Sequence, residues 1–447
     1  MQGQAPARDE ILKAAEPPLV FCPLGFERRA FLRFGKLPVV TTGPGAAAVR
    51  AAFAARDAWP VKRPRLVILL GLAGALNEEL ASGFAAAIGS VVAGDGRAAL
   101  IATAKDSEVT VVESDGVVAS AAAKAELRSR TKADLADTES RAFAECAIAA
   151  GIPWAIVRGV SDDARSALPS EIAGFVDSRG ETSISRVLAA IARRPSLVAE
   201  LVKLGRASRT AMRNASFTAD ALGCLDAIDL CTPTLPLVLY GGSFDPPHAR
   251  HATMLGEAMR VLHAPCAMVM PAAINPLKTS TPPASPEARL AMCRANFAAG
   301  TADFPSELRL SRLELDRAGP SYTFHTLEAL VAQRPRLRGA IRLLVGSDAI
   351  RGIERWHRWR EVLALAMPAV VVRPPDTRED VARFLAEFGA ANGFADAGSW
   401  LLPLEAMELS STDARTAIAR GERPAGLGDG VWREITERSL YGFGGAR

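Results

Sequence analysis

The sequence predicts an α/β protein in two domains, each organised on a largely parallel sheet, and three observations support this. Short apolar runs alternate with alanine-rich or amphipathic helical segments along the chain. Glycine-rich turns follow several of these runs, and ligands bind at such strand ends. All five histidines (His248, His251, His263, His325 and His357) lie in the second half, so the first half works without imidazole. At 447 residues the chain has room for two or three domains, each with its own core.

Composition narrows the class. Hydrophobic residues make up 49% and charged residues 23%, and the net charge of +4 comes without a Lys/Arg block. A nucleic-acid partner is therefore not expected. The longest apolar runs, 66–76 and 362–372, are well short of the ~20 residues of a bilayer span. The opening MQGQAPARDE lacks the basic-then-apolar pattern of a secretory signal. Six cysteines without a C-x-x-C pattern fit reduced thiols. The expectation is a cytoplasmic protein with no membrane segment, and a homo-oligomer is compatible with it.

In chain order, residues 1–16 are polar and expected to fray, and 18–23 (PLVFCP) read as the first strand. Gly25-Phe26-Glu27-Arg28-Arg29 opens a helix. Residues 39–42 form a short strand ending in Gly43-Pro44-Gly45, followed by helix 46–55. The apolar run 66–70 ends in Gly71-Leu72-Ala73-Gly74. Further strands are expected at 85–92, 98–102, 109–112 and 154–157, and helices at 119–130, 140–150 and 184–193. Asp137-Thr138-Glu139-Ser140 precedes a helix and suits N-capping, while Ser161-Asp162-Asp163 follows a strand and suits a solvated turn.

Taken in order, TGPG, GLAG, DTES and RGVSD resemble the purine nucleoside phosphorylase and methylthioadenosine/adenosylhomocysteine nucleosidase superfamily. Thr138 stands where that family has methionine. The resemblance implies a purine nucleoside ligand held by Gly74, Asp137 and Glu139, with Glu139 on the ribose hydroxyls. It further implies Glu27 orienting an attacking water and Asp162 protonating or hydrogen-bonding the purine N7. A domain that keeps this fold and has lost activity is the alternative. Residues 17–194 make this domain, and 195–234, with Lys203, Arg206, Arg209 and Arg213 as a solvated face, read as the connection.

The second domain, 235–447, is organised around LPLVLYGGSFDPPHARHATMLGEAMRVL. An apolar strand (237–240) is broken by Gly241-Gly242, and Pro246-Pro247 forbids an immediate helix. His248 then leads into an amphipathic helix carrying Leu255, Met259 and Leu262. His248 and His251 share the first turn of that helix. Glycines admit close backbone approach and a helix start favours anions, so the stretch predicts a phosphate cradle. His263 and Cys266 repeat the pair as H-x-x-C, but about 12 residues of helix separate the pairs by roughly 18 Å, too far to share a metal ion.

GGSFDPPHARH resembles the GG[ST]FDPxHxGH signature of nucleotidyltransferases, and of nicotinate-nucleotide adenylyltransferases in particular, with Arg250 in place of the family's glycine. The resemblance continues in family order. Lys278 lies in the proline-rich loop after the strand 267–271, and Thr323 in S-x-T-x-x-T-L, where it also suits a helix cap. Gly346-Ser347-Asp348 ends the strand 341–345, with Trp356 eight residues beyond Asp348. Arg373-Pro374 follows the strand 369–372, and SSTDAR ends in Arg415. The resemblance implies a Rossmann-like sheet and adenylyl transfer from ATP to nicotinate mononucleotide with Mg2+. It implies His248, His251, Lys278 and Arg415 in catalysis, and nucleotide contacts from Gly241, Gly242, Ser243, Phe244, Thr323, Gly346, Asp348, Trp356, Arg373, Ser411 and Thr412. Two alternatives stand beside it: preference for the amide mononucleotide, and a nucleotide-binding regulatory module in which Arg250 blocks turnover. No Walker A loop or G-x-G-x-x-G is present, which argues against a kinase or dehydrogenase.

Overall fold

The computed structural model describes residues 9–96, 99–103, 107–177, 179–274, 283–300, 304–405 and 411–444. The chain divides into two units, one of residues 16–226 and one that joins residues up to 15 with residues 227–447. The stretch 1–16, expected to fray, contains a strand, β1 (Glu10–Lys13), that belongs to the second unit. Four residues of mixed burial are too few to show a period, and Leu12 is held by packing against a distant core.

The first unit is one sheet of β2 (Leu19–Cys22), β3 (Val39–Thr41), β4 (Val67–Ala75), β5 (Ala85–Ala87), β6 (Ser90–Val92), β7 (Ala99–Ile101), β8 (Thr110–Glu113), β9 (Leu135–Asp137) and β10 (Trp154–Asp162). Its order is β3-β2-β4-β9-β8-β6-β7, with β10 pairing β4 and β5. The β2–β3, β2–β4, β4–β10, β6–β8 and β8–β9 pairs are parallel, and β4–β9, β5–β10 and β6–β7 are antiparallel. The expected strand 85–92 is split in two at Gly89, where a side-chain carbon would lie 1.9 Å from the Ser107 carbonyl oxygen. Two strands are longer than expected. β4 continues through Gly71-Leu72-Ala73-Gly74, and β10 continues to Asp162, so these residues are strand and not turn. Phe21, Phe53, Trp59 and Phe143 form an aromatic knot on one face, with ring centroids 5.1–5.6 Å apart.

The other face is covered by helix Leu197–Gly223, which corrects the reading of 195–234 as a connection. Its buried side is made of small residues (Ala211, Ala215, Ser216, Ala219, Gly223) with Leu197 and Met212, while Lys203, Arg206, Arg209 and Arg213 stay exposed. A stripe of alanines among arginines reads as polar in sequence, yet small side chains are what let a helix approach a strand closely. At Gly159 of β10 a side-chain carbon would lie 2.9 Å from Ala211.

In the second unit, β11 (Leu237–Gly242), β12 (Cys266–Pro271), β13 (Glu307–Leu310), β14 (Ile341–Gly346) and β15 (Met367–Val371) are parallel, in the order β13-β12-β11-β14-β15, with β1 antiparallel outside β13. Leu237 and Leu239 enter one core and Val238 and Tyr240 the other, so both faces are covered, as a parallel sheet requires. The chain winds from β11 through β12 to β13, then crosses to β14 on the other side. The reversal at β11 is where such sheets open a crevice at their carboxyl ends. Among the described residues no helix is long and apolar enough to cross a membrane.

Gly159→Ala should force this contact apart and lower unfolding free energy by about 1–3 kcal/mol in urea titrations. An unchanged midpoint would mean that the helix is not seated as described.

Candidate functional site

In the second unit the predicted cradle forms at the switch strand. Gly241 is exposed, and a side-chain carbon there would meet nothing within 4 Å, so its backbone borders open space. At Gly242 the same carbon would lie 3.0 Å from the Phe244 ring. Phe244 itself has φ of 47°, a costly conformation for a bulky residue. Its ring is held edge-on by Tyr240, His251 and Phe297 at 5.2, 5.3 and 5.7 Å. His248 is the N-cap of helix Ala249–Val261, and its backbone N–H donates to His251 Nδ1 at 3.1 Å. The two imidazoles lie 3.7 Å apart, buried for His248 and half-buried for His251, at a helix start that favours an anion. Arg250, one residue into that turn, is exposed.

Residues 411–415 of the SSTDAR element dock on the same turn. Ser411 Oγ donates to the Pro246 carbonyl at 3.1 Å, and Arg415 Nη1 donates to the Asp245 carbonyl at 2.7 Å. Arg415 Nη2 reaches Thr412 Oγ1 at 3.3 Å. Lys278 lies outside the described residues.

Across the switch, Asp348 and Arg373 pair at 3.2 Å above Gly346, where a side-chain carbon would lie 2.4 Å from both. Only glycine leaves room for this pair. Both charges act on the Tyr240 phenol, whose pKa is raised chiefly by burial. Thr323 is the first residue of helix Thr323–Gln333, and the N-cap is Tyr322, which corrects the expected cap. Trp356 is half-buried against the core. The neighbours of these two, Tyr322 and His357, have rings 4.7 Å apart, so their segments adjoin.

Three residues that frame the cradle were missed. Arg289 is 1% exposed and donates to the carbonyls of Ser243 (3.1 Å), Ala272, Ala273 (3.0 Å) and Ala284 (3.0 Å). Asp245 accepts the Tyr441 hydroxyl at 2.6 Å and the Ala284 N–H at 3.1 Å. Burial and that carboxylate raise the Tyr441 pKa, so its proton stays to donate. An arginine on the buried face shared by Leu290, Met292, Cys293 and Phe297 was the available signal for Arg289.

In the first unit a cleft of about 920 Å³ is lined by every residue expected there: Glu27, Gly74, Asp137, Glu139 and Asp162. Glu27 accepts the N–H groups of Leu72 (2.8 Å) and Leu24 (2.9 Å). Burial, helped by Glu139 and opposed by Arg158, pushes its carboxyl up to about 8. Arg158, wholly buried in β10, donates to Asp137 at 2.6 Å and Glu139 at 3.3 Å. Asp137 also takes the Ser140 hydroxyl and the N–H groups of Glu139 and Ser140, so its oxygens serve the turn. Glu139 receives the Gly45 N–H at 2.9 Å and the Thr138 hydroxyl. Asp162 is bound by the Ser161 hydroxyl and by the ammonium of Lys124, another missed residue. Lys124 shares a buried helix face with Leu127 and Thr131, a charge where the period calls for an apolar residue.

Known proteins divide along the same line. Residues 239–417 match the cytidylyltransferase-like family, and residues 98–193 match the phosphorylase superfamily. The chain is 33% identical over 223 residues, 46% of its length and 96% of the relative's, to a protein of Hahella chejuensis named "Probable nicotinate-nucleotide adenylyltransferase". A Cellvibrio japonicus protein of the same name is 34% identical over 218 residues, 47% of this chain and 99% of that one. Similar solved structures include futalosine hydrolase of Helicobacter pylori (13% identity, 46% of this chain and 96% of that chain, TM-score 0.34). The 5'-methylthioadenosine nucleosidase of Arabidopsis thaliana is another (13% identity, 48% and 100%, TM-score 0.36). The chain is a nucleotidyltransferase with a phosphorylase-superfamily domain, and through its second unit it belongs to the nicotinate-nucleotide adenylyltransferase family.

Proposed function

We propose that the second unit transfers the adenylyl group of ATP to nicotinate mononucleotide, giving nicotinate adenine dinucleotide and pyrophosphate. The observation that carries this reading is the convergence of His248, His251 and Arg415 on one helix start beside the open backbone of Gly241. A phosphate oxygen of the mononucleotide attacks the α-phosphorus in line, and the bond to pyrophosphate breaks. The cradle's part is to hold the triphosphate in position and meet the charge that moves onto the leaving oxygens. Among the described residues no group of three His, Cys, Asp or Glu side chains could hold a metal, and Asp245 is engaged by Tyr441 and Ala284. In this reading magnesium is bound to the phosphates of ATP. Asp348, Arg373 and Trp356 supply polar and aromatic contacts for the mononucleotide.

For the first unit we infer a nucleoside N-glycosidase, supported by Glu27, Glu139 and Asp162 lining one cleft. Glu139 accepts ribose hydroxyls, ionised Glu27 takes the proton of the attacking water, and Asp162 faces the base. Protein, ligands and reaction are all intracellular in this reading.

Chromatography of reactions with saturating ATP, Mg2+ and nicotinate mononucleotide should show the dinucleotide. Adenylylation of a different acceptor in its place would overturn the assignment, and the amide mononucleotide is the first competitor to include. His248→Ala, His251→Ala and Arg415→Ala should each lower kcat more than they weaken mononucleotide binding, by about 3–4 kcal/mol of barrier for a lost charge-stabilising donor. Unchanged turnover in all three would remove the cradle from the mechanism. Arg250→Gly should leave kcat and the KM for ATP within about twofold, because the side chain is exposed. A rise in kcat would instead reveal crowding of the phosphates.

The first unit's kcat/KM should rise with pH and level off above about 8, as Glu27 loses the proton that burial lets it keep. Assay of purine nucleosides with and without phosphate across pH 6 to 9.5 reads this directly; a profile flat over that range removes Glu27 as the base.

A further inference from the structure

We propose that Lys124 is a positioning residue that also supplies, through Asp162, the proton a purine takes up as its glycosidic bond breaks. This rests on the glycosidase reading of the first unit. Lys124 is wholly buried and lines the cleft. Its ammonium donates to Asp162 Oδ2, to the Asp163 carbonyl at 2.7 Å and to the Ser166 carbonyl at 2.9 Å. The carboxylates that face it are Asp162 and Asp163, and the Asp163 side chain is occupied by the N–H groups of Arg165 and Ser166. On the other side of Asp162, Oδ1 takes the Ser161 hydroxyl, and Gly74 lies close enough that a side-chain carbon would be 3.2 Å from Oδ2. The carboxylate is thus anchored at both oxygens and cannot turn away from the cleft.

A buried ion pair is weak evidence for stability, since an apolar pair of similar volume often serves as well. Here the pair stands where the chemistry needs an acid. An isolated aspartic acid, with an ordinary pKa of about 3.9, has given up its proton at neutral pH and cannot protonate a leaving base. The Lys124–Asp162 pair is electrically neutral whether nitrogen or oxygen holds the proton. Moving the proton across it therefore avoids the desolvation cost that opposes a lone buried charge.

The steps balance as follows. A Lys124 Nζ–H bond breaks as the Asp162 Oδ2–H bond forms, and that hydroxyl rotates about its C–O bond toward the base. The O–H bond then breaks as N7–H forms, and the electron pair of the C1′–N9 bond passes to the base. Water oxygen bonds to C1′, and its proton goes to ionised Glu27. After the products leave, Glu27 releases its proton to solvent and the Lys124 amine takes one up.

Nucleosides methylated at N7 separate this role from a structural one, because their base leaves without protonation. We would compare inosine and adenosine with 7-methylinosine and 7-methylguanosine, using the whole chain and its Lys124→Arg and Lys124→Met variants. Arginine keeps the cation but does not release its proton, so it decides the matter even if Lys124→Met fails to fold, as circular dichroism would reveal. With either folded variant, kcat on the unmethylated nucleosides should fall about 100-fold or more, while kcat on the 7-methyl substrates stays within roughly threefold. Equal losses on both classes, or no loss on either, overturn the proposal. Failure of the unaltered protein to cleave either class overturns the glycosidase reading itself, a result distinguishable from the first two.

Discussion

The second unit depends on closing one turn. Residues 243–247 must end a buried parallel strand and start a helix, and Phe244 to Pro247 are themselves buried. Their backbone groups are out of reach of water and need partners inside the protein, at about 1–3 kcal/mol for each one left bare. Arg289 answers for Ser243, Arg415 for Asp245 and Ser411 for Pro246. The Asp245 carboxylate recruits Tyr441. Partners 165 to 196 residues away in sequence are drawn in by this requirement. The carboxyl-terminal helices are therefore a structural condition of the cradle, and Arg415 is oriented by the bond it makes to the turn.

The two units handle buried charge in opposite ways. The second gathers imidazoles and guanidinium groups around a space that an anion can fill. The first gathers carboxylates, Glu27, Asp137, Glu139 and Asp162, and tempers them, among the described residues, with two buried cations, Arg158 and Lys124. Burial then leaves Glu27 holding a proton near neutrality. One set suits an anionic ligand, and the other a ligand rich in hydrogen-bond donors.

What could be read from the sequence was what is local. The prolines and histidines of 243–251 carry their geometry in adjacent residues and appear where their spacing puts them, but the glycine pair expected to break the strand after Tyr240 continues β11 to Gly242. The acidic residues of the first unit were legible in the same way, each at the end of an element. Residues whose role depends on a distant partner were not. Arg289 and Lys124 sit on buried, largely apolar helix faces, and nothing nearby says that four carbonyls or a carboxylate await them. Glycines misled in both units, since Gly71 and Gly74 continue β4, and Gly241 and Gly242 continue β11, where a turn was expected. The basic stretch of 197–223 was legible as helix-like, but its packing on the sheet was hidden because alanine, the residue that lets it lie against Gly159, gives little apolar contrast beside arginine.

β1 has a consequence for how the chain is made and folds. Glu10 pairs with Leu310, and the whole first unit, residues 16–226, is threaded between β1 and the rest of the sheet it completes. β1 must therefore wait about 300 residues for its neighbour during synthesis, a contact of very high sequence separation that forms late. Until then the outer edge of β13 is an unpaired strand, open to another chain. Folding of the inserted unit brings residues 15 and 227 back toward the same sheet and shortens the loop that must close.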